Sequence, residues 1–361
     1  MTSCDISYDV RYGIRGSYAA VSEQTIQMIE YGRRLDDISS AKITHVLTDP
    51  SCCADLGRLE PWSDTVEIRQ NGDVVWFGWI TAVEYSRSTV IVEAQDALAW
   101  SRVRVLNGGY DKKQDSALHF KDIWDSAMSP SPLPVDVITT NTGVVEKRTY
   151  SDSYKRISWF LLKELFEGSL DVTVLGNQIY AGPLWAGEML HLNAEDFAGD
   201  IVLRKAGEYY ANQVIVEGAR GISGTYPTGT VRGDSIYPLV QDVVYDEAVT
   251  SAASAQSLAK SRYEYTQGIV PRVVRAGDAL QLRQGAIDIR KLIPSRYVTL
   301  DTSDLCYSST QQYRLGGVDV TFAGNVETIA LSLQPLGTLA NLEGISADDD
   351  RGATIDTGGG A

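Results

Sequence analysis

The stretch WSDTVEIRQNGDVVWFGWITAVEYSRSTVIVEAQDALAWSRVR, from Trp62 to Arg104, decides the fold of this chain. Apolar and polar residues alternate at period two over residues 65–69, and the chain returns after Asn71-Gly72-Asp73 as a tryptophan-rich strand over residues 74–80. An Asn-Gly pair between two such runs is typical of a β-hairpin. Because residues 83–94 continue the pattern, we predict a meander of at least three strands, which needs a second layer or closure.

The remainder of the first hundred residues has the same strand character. Alternating patterns occur in three earlier segments, residues 6–12, 25–31 and 41–47. We therefore expect residues 1–106 to form an N-terminal β-barrel domain or a β-sandwich. Trp76, Trp79 and Trp100 are expected in its core or at an interface, because aromatic side chains dominate buried area.

Residues 107–190 differ in composition, and we predict a small α/β domain there. A helix is expected over residues 117–128, and it ends at a proline-rich run because proline lacks an amide donor and disfavours a helical residue before it. A second helix is predicted from about Lys155 to Glu167. Two strands follow, over residues 170–175 and 178–181.

Residues 191–337 return to strand patterns and are predicted to form a second β-barrel-like region. An alanine-rich helix is expected between Ala248 and Arg262, and a Gly/Thr-rich loop covers residues 221–233. Residues 338–361 contain Asp-Asp-Asp and Gly-Gly-Gly, which predict a flexible acidic and glycine-rich tail. The expected fold class is mainly β with α+β insertions, with two β-barrel-like domains and a small α/β domain.

The charge of the chain argues against general nucleic-acid binding. Its formal net charge is −15, whereas phosphate affinity comes mainly from Lys and Arg. An acidic wall suits a channel through which a duplex slides without sticking, but charge that keeps a protein soluble explains the same value. The N-terminus lacks a secretory pattern and no apolar run is long enough to span a membrane, so we expect assembly in a cytoplasm without membrane insertion.

Residues that carry chemistry form no recognisable cluster in the sequence. The four cysteines, which include the adjacent Cys52 and Cys53, have no zinc-ligand spacing and are expected to be reduced thiols. The three histidines are scattered, and the chain has no phosphate-binding glycine loop, nucleophile elbow or zinc-protease helix. We therefore expect no enzymatic activity, no cofactor and no metal site.

Several residues of the opening stretch occur in a distinctive order. They are Trp62, Gly72, Trp76, Gly78, Asp96 and Trp100, followed by Arg102 and Arg104. This order resembles the tail hub proteins of long-tailed bacteriophages, also called minor tail or baseplate hub proteins, which carry a tryptophan, a strand, a turn, W-x-G and D-x-x-x-W. The candidate family-motif or interface positions are Trp62, Trp76, Gly78, Asp96 and Trp100.

The end of the chain extends the resemblance to roughly residues 1–337. Three elements match: Ile293-Pro294-Ser295, then R-L-x-x-V-x-V over Arg314–Val320, and E-x-x-x-L-x-L over Glu327–Leu333 before Pro335. Ser295 stands where some relatives of this kind have glycine.

The resemblance implies a structural protein of the virion, at the tail tip. It implies a homotrimer whose two barrel-like domains per chain form a ring between the tail tube and the tip. The implied partners are the distal tail protein, the tape-measure protein and tail fibre or tip proteins, with DNA only as passing cargo. The chain stops after its last β region, where some hubs carry an additional lytic domain.

A second function class remains open. A carbohydrate- or receptor-binding β protein of a virion would use Trp76, Trp79 or Trp185 to stack on sugar rings. Glycan-dependent quenching of tryptophan fluorescence would favour that alternative over the hub.

Overall fold

The computed structural model describes most of the chain in separate ranges. These are residues 6–14, 17–20, 25–47, 56–106, 108–150, 155–158, 160–161, 170–183, 189–204, 210–228, 238–246, 249, 251–266, 272–274, 280–302 and 310–335. The four cysteines, Trp185 and the predicted tail 338–361 lie outside them. The same holds for most of the predicted helix 155–167 and for residues 229–233 of the predicted loop.

The strands are numbered β1–β22 and the α-helices α1 and α2 in chain order. The helices are α1 (Ser116–Met128) and α2 (Ala252–Thr266). The strands are β1 (Tyr8–Ile14), β2 (Ser17–Ala20), β3 (Ile26–Arg34), β4 (Ser40–Val46), β5 (Thr65–Gln70), β6 (Asp73–Tyr85), β7 (Thr89–Gln95), β8 (Tyr110–Asp115), β9 (Asp136–Thr139), β10 (Val145–Tyr150), β11 (Asp171–Leu175), β12 (Gln178–Gly182), β13 (Leu190–Asn193), β14 (Val202–Arg204), β15 (Gln213–Gly218), β16 (Ser223–Tyr226), β17 (Gln241–Asp246), β18 (Arg272–Val274), β19 (Leu280–Leu282), β20 (Tyr297–Asp301), β21 (Thr310–Ala323) and β22 (Val326–Pro335).

One large sheet dominates the described chain, and the expected mainly β class is confirmed. Its strand order is β13-β20-β21-β3-β4-β7-β6-β5-β1-β2, with β22 beside β21 and β19 beside β22. Strand pairs along this order are antiparallel except β13–β20, which is parallel. The sheet curls into a half-barrel.

The predicted meander forms the middle of this sheet. Asn71 and Gly72 have φ values of 51° and 89°, as a two-residue hairpin turn with two left-handed residues requires. The return strand, β6, continues without a break through Tyr85 and pairs with β7. The hairpin and the third strand predicted from the alternating pattern are therefore confirmed.

Strands from both ends of the chain share this sheet. Val320 in β21 is paired with Tyr31 in β3, and the two strands pair over seven positions. The first compact unit of the fold accordingly consists of Met1–Ile201 and Gly277–Gln334. Segments predicted to lie in separate domains thus form one sheet, because one of the two strands that pair with β3 lies near the C-terminus.

The first unit also contains helix α1 and two small sheets between residues 110 and 182. Helix α1 begins after Asp115, whose side chain accepts a hydrogen bond from the amide of Ala117 at 3.0 Å. The strands β11, β12 and β9 form one small sheet, and β8 pairs with β10. Phe120 and Trp124 of α1 are buried in a core cluster that also contains Trp79 and Trp100 of the hairpin region.

The second compact unit contains Val202–Ala276. Strand β15 pairs with β16 in antiparallel and with β17 in parallel orientation, and α2 covers one face of these strands. A Cβ atom at Gly224 would lie 2.4 Å from the backbone of Ala255, so only glycine permits this close approach of sheet and helix. The helix predicted between Ala248 and Arg262 is present, four residues further along the chain.

Candidate functional site

The tryptophans of the sequence motif pack against one another. The ring centroids of Trp62 and Trp100 are 5.1 Å apart and those of Trp79 and Trp100 are 6.0 Å apart, both with edge-to-face geometry. Trp79 and Trp100 are buried, whereas Trp62 is half-buried and has a φ of 62°. The cluster joins the hairpin region to the small α/β region as part of one core.

Close packing explains why the W-x-G motif has glycine at its third position. Trp76 and Gly78 are two positions apart in β6, so their side-chain positions share a face of the strand. A Cβ atom at Gly78 would lie 2.4 Å from Cη2 of Trp76 and 2.3 Å from the carbonyl oxygen of Gln95. The buried indole of Trp76 and the backbone of β7 therefore occupy the space that any larger residue would need.

The D-x-x-x-W motif is a helix cap. Asp96 precedes a 3₁₀ helix over Ala97–Arg102, and its Oδ1 and Oδ2 accept hydrogen bonds from the amides of Leu98 (3.0 Å) and Ser39 (2.9 Å). Burial raises the pKa of Asp96 to about 7, although the bonds from Ser39 and Leu98 act in the opposite direction. Asp96 thereby orients the helical turn that carries Trp100.

The two arginines after the motif differ in environment. The guanidinium carbon of Arg104 lies 5.2 Å from the ring centroid of Trp100, within the range of a cation–π contact. Arg102 is exposed, with its Nη2 atom 3.8 Å from Oδ1 of Asp37. Arg104 is therefore part of the packed motif, whereas Arg102 belongs to the surface.

Two of the three tryptophans of the sugar-stacking alternative are buried in the sheet. Trp76 and Trp79 are each 3% exposed, so neither can stack on a sugar ring without unfolding of the sheet. Trp185, the third residue of that alternative, lies outside the described residues. Among the candidate motif positions, Trp76, Asp96 and Trp100 are likewise buried within one chain, which makes them core positions.

The C-terminal motif arginine lies between two carboxylates. The Nη1 atom of Arg314 is 2.9 Å from Oδ1 of Asp171, and its Nη2 atom is 3.7 Å from Oδ2 of Asp36. Burial raises the pKa of both carboxyl groups, and the negative charge of Asp171 raises the pKa of Asp36 further. The backbone amide and carboxylate of Asp36 both bond to the backbone of Val172 in β11. These contacts connect β11 to the large sheet.

The motif glutamate connects the end of the sheet to its beginning. The hydroxyl of Tyr8 donates to Oε1 of Glu327 at 2.5 Å, and the side-chain amide of Gln70 donates to the same oxygen. Desolvation raises the pKa of Tyr8, so its hydroxyl stays protonated and available as a donor. Strand β22 is thereby attached through side chains to β1 and β5.

Ser295 occupies a backbone conformation that suits glycine. Its φ is 80°, its side chain is buried, and its amide donates to the carbonyl of Leu315 at 2.8 Å. The glycine found at the matching place in some hub proteins would adopt this φ without steric cost. The turn is therefore kept in this chain with serine.

The outward face of β21, β3, β4 and β7 is charged and concave. Glu30 and Glu93 flank Lys42 across neighbouring strands, and Asp319 forms an ion pair with Arg34. A depression of about 500 Å³ opens on this face, partly because Gly32 has no side chain. Sequence reasoning missed this face, since its members become neighbours only through the strand pairing.

Neither a metal centre nor a membrane span occurs in the described ranges. No group of three or more His, Cys, Asp or Glu side chains there could hold a metal ion. No helix in that part of the chain is both long and apolar enough to cross a bilayer.

Solved structures with the same architecture include phage tail proteins and a type VI secretion component. The 43 kDa tail protein of prophage MuSo2 from Shewanella oneidensis superposes with a TM-score of 0.63 at 11% identity, over 92% of this chain and 99% of that chain. The tail protein from Neisseria meningitidis MC58 gives 0.61 at 13% identity, over 92% and 98%. The E. coli c3393 protein, a type VI secretion component with similarity to the T4 tail proteins gp27 and gp5, gives 0.51 at 11%, over 86% and 73%.

Sequence comparison alone finds none of these relations. No protein-family profile and no curated protein sequence matches the chain. The likeness is therefore one of fold, and it extends over nearly the whole length of the Shewanella and Neisseria tail proteins. The chain has the fold of these phage tail proteins, in agreement with the resemblance that the order of its motif residues suggested.

Proposed function

We propose that this chain is the structural hub of a phage tail tip or baseplate, a homotrimeric ring that joins the tail tube to tip or fibre proteins and lets DNA pass. The observation that carries the proposal is the likeness to whole prophage tail proteins, which covers 92% of this chain and 99% of one of them.

The chemistry of the chain fits a passage for DNA. The net charge of −15 disfavours adhesion of phosphate. A duplex that moves through an acidic ring is repelled from its wall. The expected partners are the distal tail protein above the ring, the tape-measure protein in the channel and fibre or tip proteins outside it.

We further propose that the chain has no catalytic role. The motif residues act as packing, capping and ion-pair positions, since Trp76, Gly78, Asp96, Trp100 and Arg314 are enclosed by their own chain. Assays for release of cell-wall fragments should then give the same result with and without the protein. A fragment release that depends on the protein would contradict this part of the proposal.

Electron microscopy tests the hub directly. The full chain should be purified alone and after co-expression with the neighbouring tail proteins of its phage, and its mass measured by light scattering over a dilution series. We expect a threefold ring with a central opening in at least the co-expressed sample. A monomer that binds none of these proteins in either sample would contradict the hub.

A further inference from the structure

The three-stranded sheet of the second unit has one covered and one open face. On the covered face, Val214 and Val216 of β15 pack with Ala255 and Ala259 of α2. Strand β17 alternates in exposure, so that Val244 packs on the helix side while Val243 points the opposite way. Such a two-layer arrangement leaves the second face of the sheet without a partner among the described residues.

The open face is apolar at the edge of the sheet. Val243 and Tyr245 lie two positions apart on the open face of β17 and are 42% and 76% exposed, whereas Gln241 shares that face and Leu239, 49% exposed, precedes the strand. Half-buried Ile215 lies opposite Val243 in the register and extends the apolar row onto β15. Among the described strands, β17 is paired only with β15.

Charge distinguishes this face from the outward face of the large sheet. The register places Glu217 opposite Tyr245, and the other members that face outward on β15–β17 are neutral. The face of β21, β3, β4 and β7 carries three carboxylates and two cations instead. Copies of a chain with a net charge of −15 repel one another, so a contact between copies is least opposed where the surface is neutral and apolar.

We propose that the open face of β17 and β15, centred on Val243 and Tyr245, is a contact surface for a second copy of this chain. The proposal rests on the proposed ring and names the surface at which neighbouring copies meet. In the contact, Leu239, Val243 and Tyr245 lose their exposure to water. In a ring of three copies this surface contacts a different patch of the next copy, because a cyclic trimer has head-to-tail contacts.

The test uses the full chain with Val243→Lys and Tyr245→Lys combined. Both substitutions lower the net negative charge, so electrostatics over the whole molecule would favour association, and a loss must be local. The matched control is Val145→Lys with Val326→Lys, which replaces two residues of the first unit that are 57% and 55% exposed. Circular dichroism and thermal unfolding should show that both variants fold like the parent.

Sedimentation velocity over a dilution series gives the result. We expect the parent to associate, the Val243/Tyr245 variant to associate at least tenfold more weakly, and the control to follow the parent. Equal association of parent and Val243/Tyr245 variant would overturn the surface and leave the hub intact. A parent chain that stays monomeric throughout would also overturn it, whereas the hub is judged separately by microscopy with co-expressed tail proteins.

Hydrogen exchange supplies a measurement without any substitution. Amides of residues 239–246 should exchange at least several-fold more slowly in concentrated than in dilute parent protein, because association covers them. Amides of β10, at Val145–Tyr150, serve as the internal reference. Exchange over 239–246 that does not depend on protein concentration while the parent associates would place the contact elsewhere.

Discussion

The Tyr8 hydroxyl donates a hydrogen bond to Oε1 of Glu327, at 2.5 Å, across 319 positions of the sequence. Both side chains are buried, at 4% and 6% exposure, and Gln70 donates to the same oxygen. The bond ties β1 to β22 without any backbone pairing between them, since β22 pairs with β21 and β19. It connects β22, beside β21, to β1, which lies near the opposite end of the strand order.

Replacing the acceptor should loosen this connection. We expect Glu327→Ala to lower the free energy of unfolding by about 2–4 kcal/mol, because the Tyr8 hydroxyl and the Gln70 amide both lose a buried acceptor. Urea unfolding followed by circular dichroism measures the change. The control Glu84→Ala removes an exposed glutamate and should shift the midpoint little. Equal midpoints for the two variants would show that the buried bond contributes nothing.

Gly78 should not tolerate even a methyl group. In Gly78→Ala the new Cβ would meet both Trp76 and the backbone of Gln95, and we expect a loss of about 1–3 kcal/mol from overpacking. Gly199→Ala is the matched control, because an added Cβ there meets nothing within 4 Å. Thermal unfolding of both variants distinguishes a steric requirement from a general cost of losing glycine, which would affect the two equally.

The Arg314 cluster should show strong coupling between its members. Arg314→Met leaves two buried carboxylates without their cation, and we expect a loss of about 3–5 kcal/mol in unfolding free energy. Adding Asp36→Asn and Asp171→Asn to that variant should restore part of the loss, because no buried charge then remains unpaired. Urea midpoints are compared for Arg314→Met, for Arg314→Met with either Asp→Asn substitution, and for the triple variant. Additive effects would argue against an interaction among the three side chains.

His45 should make the fold sensitive to acid. Burial lowers its pKa to about 4, whereas the unfolded chain protonates it near pH 6.5. Its contribution to stability is therefore complete above about pH 6.5 and is lost as the pH falls toward 4, by up to roughly 3 kcal/mol. Unfolding free energies at pH 7, 6 and 5 should fall less steeply in His45→Gln than in the parent. The exposed-site control His191→Gln should follow the parent.

Local patterns predicted the strands and turns of this chain well. Asn71 and Gly72 lie in the expected hairpin turn, and α1 starts one residue before its predicted beginning. These features depend on neighbouring residues, whose alternation and turn chemistry are visible in the sequence. The motif residues could also be identified by their order alone.

Long-range partners could not be predicted in the same way. The pairing of β3 with β21 joins segments almost 290 positions apart, and neither strand has a local sequence pattern that identifies the other as its partner. The same applies to Arg314, whose partners Asp36 and Asp171 come from two distant parts of the chain. The reason for Gly78 appeared only when the backbone of Gln95 was placed beside it.

The pairing of β3 with β21 also sets an order of events during synthesis. Residues 26–34 leave the ribosome long before residues 310–323, so one edge of β3 has no partner until the chain is nearly finished. Contacts between such distant segments slow folding and leave strand edges available to other nascent chains. We expect chains truncated before Thr310 to aggregate, and full-length yield to rise when chaperones cover the unpaired edge of β3.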